Sequence, residues 1–273
     1  MAITSNTDKQ QNKQELSIQI SLSGLSFCTL QRDSKTITSL KEYVFEKKLN
    51  PHEVLDKLKH LFNSEKTLQS NFNNVVVIHA NELSTLVPKP LFSEAYLADY
   101  LKFNAKILRS DFITFDTVDI NESVNVYVPY VNINNFIYDV FGAFTYKHSS
   151  TILIEQLLIA EKNSRNTKMY VHVGIDHFEL LVIDKGKLLL YNTFEFNSEE
   201  DFIYYILFTS EQLNLNPETL QLVFLGNIKK ESPLFSIAYK YVRHVAFGNR
   251  NDDFTYTNKP ESNHSHFTLL KSF

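Results

Sequence analysis

The chain of 273 residues contains no tryptophan, one cysteine and only six glycines, and each scarcity excludes something. The lone Cys28 excludes an internal disulfide and is typical of a protein kept in a reducing compartment. So few glycines leave little material for the glycine-rich loops that cradle phosphates. No G-x-S-x-G turn occurs, and Cys28 lies in an apolar stretch that favours a buried, inert thiol. The sequence therefore offers no nucleophile in a catalytic setting.

Long apolar runs and a strong charge of either sign are also missing. No run approaches the roughly 20 residues needed to span a bilayer. Residues 1–15 are polar and lack the basic start and apolar core of a signal peptide. The net charge of −4 gives no electrostatic footprint for nucleic acid. We therefore expect a soluble, cytoplasmic protein with neither membrane nor nucleic-acid partners.

What is present is a globular composition with many aromatic rings. Hydrophobic residues make up 43% of the chain and charged residues 21%, with 22 Phe and 14 Tyr. We expect the two polar ends to stay outside the core, as a disordered tail over residues 1–15 and a flexible tail over 250–273. The part between them is long enough for one large domain or two medium ones.

One order of elements is predicted twice along the chain. Alternating apolar and polar residues predict a three-strand meander over 16–45, then a helix that Asn50 caps, then an apolar strand at 74–79. A second meander is predicted over 168–196, followed by a helix at 199–213 and a strand at 219–225. The remaining predicted elements are strands at 83–87, 112–119, 123–129, 144–147 and 245–247, and helices at 93–103, 132–141, 151–162 and 233–242.

Two halves that each open with a meander and cross over by a helix predict a fold class. It is an α/β fold, the duplicated ribonuclease-H-like or actin-like fold, with two lobes that each hold a mixed sheet flanked by helices. We place the first lobe at residues 16–165, with an inserted segment, and the second at 166–249. The halves repeat in element order and not in sequence.

Two segments carry a resemblance to a known family. The runs LVPKPLFSEAYLADYLKFN, residues 86–104, and VYVPYVNINNFIYDVFGAFTYKHSSTILIE, residues 126–155, resemble a bacterial family, the domain of unknown function 3822. The resemblance extends over about residues 16–249. It implies an actin-like ATPase fold and a distant similarity to the pilus-assembly protein PilM. The family implies no activity and no site residues.

The turns at which actin-like ATPases hold phosphates have unusual residues in this chain. Those enzymes need an acidic residue two places before a glycine, for metal-bound water and for close approach of the backbone. In the first half Ser21 takes the acidic place and Ser23 the glycine place, and in the second half His172 precedes Gly174. A serine and a histidine do not replace two carboxylates on a hard cation, which prefers oxygen ligands.

A third part of such a site is a glycine pair after a late strand, against which adenosine lies. This chain offers Gly226 alone, followed by Asn227. We therefore interpret Ser21, Ser23, His172, Gly174 and Gly226 as degenerate phosphate-loop positions. We expect no catalytic residues, no cofactor and no metal. The alternative is a nucleotide-binding ATPase with diverged loops.

Two other site hypotheses are open to the same residues. His172, Asp176, His177 and Glu179 surround one predicted hairpin turn and could ligate a metal, although no second cluster completes the set. A metal-dependent nuclease needs converging carboxylates. Asp176 and Asp184 lie at opposite ends of one predicted strand, too far apart to share an ion.

The aromatic segment 126–147 joins the predicted halves and carries only two charged residues, Asp139 and Lys147. A linker between lobes is normally more polar. We predict that this segment packs between the lobes, with Phe136 and Phe141 contributing to stability. The alternative is an apolar surface for a protein partner. Together these patterns favour a non-catalytic scaffold or protein-binding module with an unidentified protein partner.

Overall fold

The computed structural model describes residues 13–273, and its elements follow the predicted order. Its strands are β1 (Gln14–Ile20), β2 (Gly24–Gln31), β3 (Thr36–Val44), β4 (Asn74–His79), β5 (Ser84–Pro88), β6 (Thr114–Val118), β7 (Ser123–Tyr127), β8 (Thr145–His148), β9 (Thr167–Val173), β10 (His177–Asp184), β11 (Lys187–Glu195), β12 (Gln221–Gly226), β13 (His244–Phe247) and β14 (Thr255–Tyr256). Its α-helices are α1 (Pro51–Ser64), α2 (Leu97–Leu101), α3 (Val131–Phe141), α4 (Ser149–Glu161), α5 (Glu199–Gln212), α6 (Pro233–Tyr241) and α7 (Phe267–Leu270).

The first lobe is built on a six-stranded mixed sheet with the order β14-β3-β2-β1-β4-β8. Strands β1, β2 and β3 form the predicted antiparallel meander, and β4 adds to β1 in parallel. Strand β1 begins at Gln14, so the predicted tail over residues 1–15 ends earlier than expected. Residues 1–12 of that predicted tail lie outside the described residues.

Helix α1 begins where the sequence predicts, because Asn50 and Glu53 form a capping box. The Asn50 side chain accepts from the backbone of residues 52 and 53, and the Glu53 side chain accepts from the Asn50 N–H. Val54, Leu58 and Phe62 repeat at four-residue spacing and bury one face against the sheet. Burial of each such side chain stabilises the lobe by about 1.5–3 kcal/mol.

The inserted segment forms a three-stranded antiparallel sheet with the order β5-β7-β6. Residues 93–103 were predicted as one helix, which is only partly correct. A 3-10 turn, Glu94–Tyr96, precedes α2, which covers five residues. No side chain caps α2, which is consistent with so short a helix.

The second lobe holds a five-stranded mixed sheet with the order β11-β10-β9-β12-β13. Its meander, β9-β10-β11, occupies the place that β1-β2-β3 occupies in the first lobe, and the two meanders lie in separate sheets. This arrangement confirms the predicted duplicated α/β fold with two lobes. Stacked and edge-on rings dominate its core, around Phe178, Phe202 and Phe224.

Helix α4 lies between the lobes and is buried on several sides. Ile152 packs with Cys28 on the face of the first sheet opposite to α1 and α3. Leu153 and Leu157 pack with Leu181 of the second sheet. Such a helix, apolar around most of its circumference, is typical of one enclosed in a core.

The prediction that segment 126–147 packs between the lobes is wrong. Phe136 and Phe141 of α3 pack edge-on and tilted against Phe62 of α1, within the core of the first lobe. The reason is that β8 adds to the first sheet beside β4 and keeps the segment in that lobe. Helix α4 provides the apolar contact between the lobes instead.

The prediction of a flexible tail over 250–273 is also wrong. Strand β14 pairs with β3, and Leu269 and Leu270 are buried against Cys28 in the first lobe. The Arg250 guanidinium donates to the carbonyls of Ser262 and Ser265, which folds the segment back on itself. A few apolar residues spaced through a polar stretch are therefore enough to attach it. We call residues 249–273 the C-terminal strap.

Within residues 13–273 no helix is both long and apolar enough to cross a lipid bilayer.

Candidate functional site

A cleft of about 760 Å³ lies between the two lobes. The β1–β2 turn forms one wall, the β9–β10 turn and the end of β12 form the opposite wall, and the C-terminal strap forms a third. The five predicted phosphate-loop positions all line it: Ser21, Ser23, His172, Gly174 and Gly226. The fold therefore brings together residues that lie up to 205 positions apart in the chain (226 − 21).

The β1–β2 turn uses its serine hydroxyls for its own structure. The Ser21 N–H and Oγ both donate to the Gly24 carbonyl, at 3.0 and 3.1 Å. The Ser23 N–H donates back to Ser21 Oγ at 3.2 Å. Ser21 therefore closes the turn and presents no carboxylate that could hold a divalent cation.

The β9–β10 turn is tight, and Gly174 is required by packing. Its N–H donates to the His177 carbonyl at 2.8 Å. A Cβ at this position would lie 2.9 Å from the His177 ring. Gly174 therefore leaves the space that the His177 ring occupies, which a larger residue would not.

His172 and Glu179 face each other across this hairpin. They are direct partners in the β9–β10 register, and the His172 Nδ1 lies 2.6 Å from Glu179 Oε2. Ser149, at the start of α4, donates to Glu179 Oε1 at 3.3 Å. Burial would raise the pKa of Glu179, but the hydrogen bond and charge of His172 outweigh it and lower that pKa.

The two turns contact each other directly across the cleft. Ser23 Oγ donates to Asp176 Oδ2 at 2.7 Å, and Asp176 Oδ1 lies 2.9 Å from His177 Nδ1. The hydrogen bond from His177 lowers the pKa of Asp176. Burial disfavours the charged ring of His177, but its contact with Asp176 prevails and raises the pKa of His177. Nearby, Lys48 of the first lobe forms an ion pair with Glu195 of the second at 2.8 Å.

At the end of β12 the strap fills the space beside Gly226. The Gly226 N–H donates to the His264 carbonyl at 2.8 Å, and His264 Nε2 contacts the Ile228 carbonyl at 2.7 Å. The His264 ring stacks on Phe247 with centroids 4.4 Å apart. Gly226 has φ +81°, and a Cβ there would lie 2.3 Å from the Val173 carbonyl oxygen. Gly226 is therefore required by the packing of its own chain.

The four candidate metal ligands form two separate pairs, His172 with Glu179 and Asp176 with His177. Among the residues that the structure describes, no three histidine, cysteine or acidic side chains converge as a metal site. Asp184, at the far end of β10, accepts from Thr167 at 2.6 Å. These contacts leave each group with a protein partner.

Sequence reasoning missed a second polar cluster, behind the cleft at the start of α4. Asp116 accepts from Tyr127 Oη at 3.1 Å, from Thr151 Oγ1 at 2.8 Å and from the His148 N–H at 2.9 Å. Burial lowers the pKa of His148 to about 4, and burial beside His148 lowers the pKa of His79 to about 3. Both rings are therefore neutral at pH 7. The polar run 148–151 at a predicted helix start was the available signal.

The strap was the other site element that sequence reasoning missed. His264 was interpreted as part of a polar tail, although its ring is buried beside Gly226. The signal was weak, because few apolar residues interrupt the polar stretch.

Comparisons with known proteins agree with this fold. A crystal structure from Bacteroides thetaiotaomicron VPI-5482, of a protein with actin-like ATPase fold and unknown function, superposes with a TM-score of 0.78 at 25% identity, over 87% of this chain and 91% of that one. The PilM-PilN type IV pilus biogenesis complex gives 0.59 at 13% identity, over 94% and 96%. The ethanolamine utilization protein EutJ from Carboxydothermus hydrogenoformans gives 0.50 at 10% identity, over 95% and 88%.

These likenesses establish the fold and carry no activity with them. No curated protein matches the chain. The profile of one family, described as protein of unknown function (DUF3822), matches residues 4–245, which is most of the sequence. The chain therefore belongs to the DUF3822 family.

Proposed function

We propose that the protein is a non-catalytic, two-lobed protein-binding module of the cytoplasm. The observation that carries the proposal is the contact between the two turns, where Ser23 donates to Asp176 across the cleft at 2.7 Å. ATPases of this fold hold phosphates between the corresponding turns. Here the positions of the metal-holding carboxylates are Ser21 and His172, and each is engaged in a hydrogen bond of its own lobe.

The C-terminal strap supports the same proposal. It contacts the second lobe, where the Gly226 N–H donates to the His264 carbonyl at 2.8 Å, and the first lobe, where Thr268 donates to Gln19 at 2.6 Å. A hydrolytic cycle on a two-lobed fold needs the lobes to open and close around substrate. A strap anchored in both lobes opposes such opening, which suits a rigid module better than an enzyme.

Exposed aromatic rings on the second lobe give the module a surface for a protein. Tyr204 and Phe208 of α5 and Tyr239 and Tyr241 of α6 are between 43 and 64% exposed, and the two helices contact each other. Tyrosine and phenylalanine are enriched at the centres of protein interfaces. PilM, a likeness in fold, is found in a complex with PilN. We therefore place the partner surface on α5 and α6.

The test is capture of partners from the protein's own cell, read by mass spectrometry. We expect Tyr204→Ser with Phe208→Ser to remove a partner that the wild type retains. A matched control is Tyr96→Ser with Phe103→Ser, which changes two exposed rings on the inserted segment. Retention of every partner by the α5 variant would contradict the proposal. So would a partner that the wild-type protein captures only in the presence of nucleotide.

The alternative is a nucleotide-binding ATPase with diverged loops. The observation in its favour is the cleft itself, because 760 Å³ lies within the usual size range for small-molecule sites. Binding of ATP with Mg²⁺ in the low micromolar range would select this alternative.

A further inference from the structure

The exposed aromatic surface of α5 and α6 faces away from the cleft. Both helices pack on one face of the second sheet, and their residues Phe202, Ile206 and Ala238 are buried in one core there. Helix α4 covers the opposite face of that sheet through Leu153 and Leu157. The outer sides of α5 and α6 therefore point to solvent, so a protein can dock on them without entering the cleft or separating the lobes.

On α5 the exposed rings lie between two acidic residues. Glu200, Tyr204, Phe208 and Glu211 follow one another at three- and four-residue spacing, which places them along one side of the helix. All four are exposed, and the rings of Tyr204 and Phe208 stack with centroids 5.7 Å apart. Over its whole length α5 carries four acidic residues and no basic one. This side of α5 is therefore an apolar stripe with acidic ends.

Helix α6 carries the opposite charge beside its own exposed rings. It contains Lys240 between Tyr239 and Tyr241, and it contains no acidic residue. Arg243, two positions beyond the end of the helix, is exposed as well. Arg243 lies 3.3 Å from Glu218, but the two side chains are 67 and 69% exposed, so the guanidinium still presents donors to solvent. The outer surface thus carries an acidic helix and a basic helix side by side.

We propose that the protein forms a two-fold symmetric dimer through this surface, with α5 of each copy packed on α6 of the other. The inference rests on the proposed function, because it identifies the partner at that same surface as a second copy of the chain. The charges select both the occupant and the arrangement. A two-fold axis between the helices places the acidic α5 against the basic α6 twice, whereas packing α5 on α5 places like charges together.

The size of the surface sets the strength of the dimer. A helix of 14 residues is about 21 Å long, and two helices packed side by side lie about 10 Å apart. Together α5 and α6 present a face of about 400 Å², which is below the roughly 800 Å² per partner of a standard stable interface. We therefore expect a dimer that forms at micromolar concentration and dissociates on dilution.

The test is sedimentation of the purified full-length protein between about 1 and 200 µM, the range for an interface of this size. We expect the mass to rise from one chain to two across this range. Tyr204→Ser with Phe208→Ser should remain monomeric throughout, because the variant loses the apolar centre of the contact.

Two charge-reversed variants test the pairing of α5 with α6. Glu200→Lys with Glu211→Lys makes both helices basic, and Lys240→Glu with Arg243→Glu makes both acidic. Each should weaken dimerisation about tenfold or more, because like charges then meet at both contacts. The matched control is Lys57→Glu with Lys66→Glu, which reverses two exposed lysines of the first lobe and should dimerise as the wild type does.

Mixing the two charge-reversed variants gives the sharpest test. In the mixed dimer the basic α5 of one copy meets the acidic α6 of the other, and the remaining contact pairs a basic α6 with an acidic α5. We expect the mixture to dimerise about as strongly as the wild type, although each variant alone is weakened. No recovery on mixing would overturn the inference, as would a wild type that stays monomeric over the whole range.

The outcome is separable from that of the proposed function. A monomeric wild type that still captures another protein through Tyr204 and Phe208 removes the dimer and leaves the protein-binding module. A dimer that also binds Mg²⁺–ATP tightly keeps this inference and removes the non-catalytic assignment.

Discussion

Ser23 and Asp176 belong to different lobes, yet their side chains share one hydrogen bond. Asp176 stays ionised because His177 lies on its other oxygen. The turns of the two lobes thus contact each other through these side chains. At the scale of single residues, the cleft is organised by ion pairs whose charges depend on pH.

The contact of Asp176 with His177 predicts a pH dependence of stability. The pKa of His177 is raised in the folded protein, so its contribution is complete below the unfolded value of about 6.5. That contribution is lost as the pH rises through the folded pKa. We expect the free energy of unfolding to fall above pH 6.5, by up to about 1 kcal/mol because the pair is partly exposed to solvent.

Asp176→Asn should reduce this decrease in the free energy of unfolding, measured by denaturant between pH 6.5 and 8.5. The depressed pKa values of His79 and His148 give a dependence of the opposite sign, and it lies below pH 6.5. The chosen window therefore avoids the contributions of His79 and His148. An unchanged slope in Asp176→Asn would show that the pair does not carry the effect.

Among the elements, α3 stabilises the first lobe through its aromatic face. Phe136 and Phe141 pack on Phe62 and are half-buried. We expect Phe136→Ala and Phe141→Ala each to lower the free energy of unfolding by about 3 kcal/mol, the lower end of the range for core phenylalanines. Tyr138→Ala, on the exposed face of the same helix, should change it by less than about 0.5 kcal/mol. Thermal and chemical unfolding of the three variants measure this, and equal effects would contradict the packing.

The C-terminal strap contacts both lobes, as helix α4 does. Leu269 is 1% exposed and packs with Cys28 and Ile152. Leu269→Ala should cost about 2–5 kcal/mol. Lys259→Ala, at an exposed position of the same strap, is the control. Faster amide exchange at β14 and beside Gly226 should accompany the loss in Leu269→Ala. A variant as stable as the wild type would mean that the strap is dispensable.

The difference between predicted and observed elements has a physical pattern. The meanders and α1 were predictable because alternation, caps and turns are local signals. The strap and α3 were misplaced because their partners lie far away in sequence. Strand β14 pairs with β3 across about 220 residues, and no local pattern specifies that register. The His172–Glu179 pair was within reach of prediction, because a tight turn at 174–177 makes them cross-strand neighbours.

At the scale of the whole molecule, two lobes enclose a cleft, and direct contacts between the lobes limit their relative movement. Helix α4 fills the space between the sheets, and the strap joins the lobes across the opening. The fold is that of actin-like ATPases, and we propose that its phosphate-loop positions have other partners in this chain. We therefore expect that this cleft does not bind Mg²⁺–ATP as a substrate.

Titration calorimetry of the full-length protein with ATP and Mg²⁺ tests that claim most directly. We predict no saturable heat up to millimolar nucleotide, because Ser21 and His172 stand where metal-holding carboxylates are needed and His264 fills the space beside Gly226. Saturable binding with a dissociation constant in the low micromolar range, about −8 kcal/mol, would contradict the account and favour the diverged ATPase.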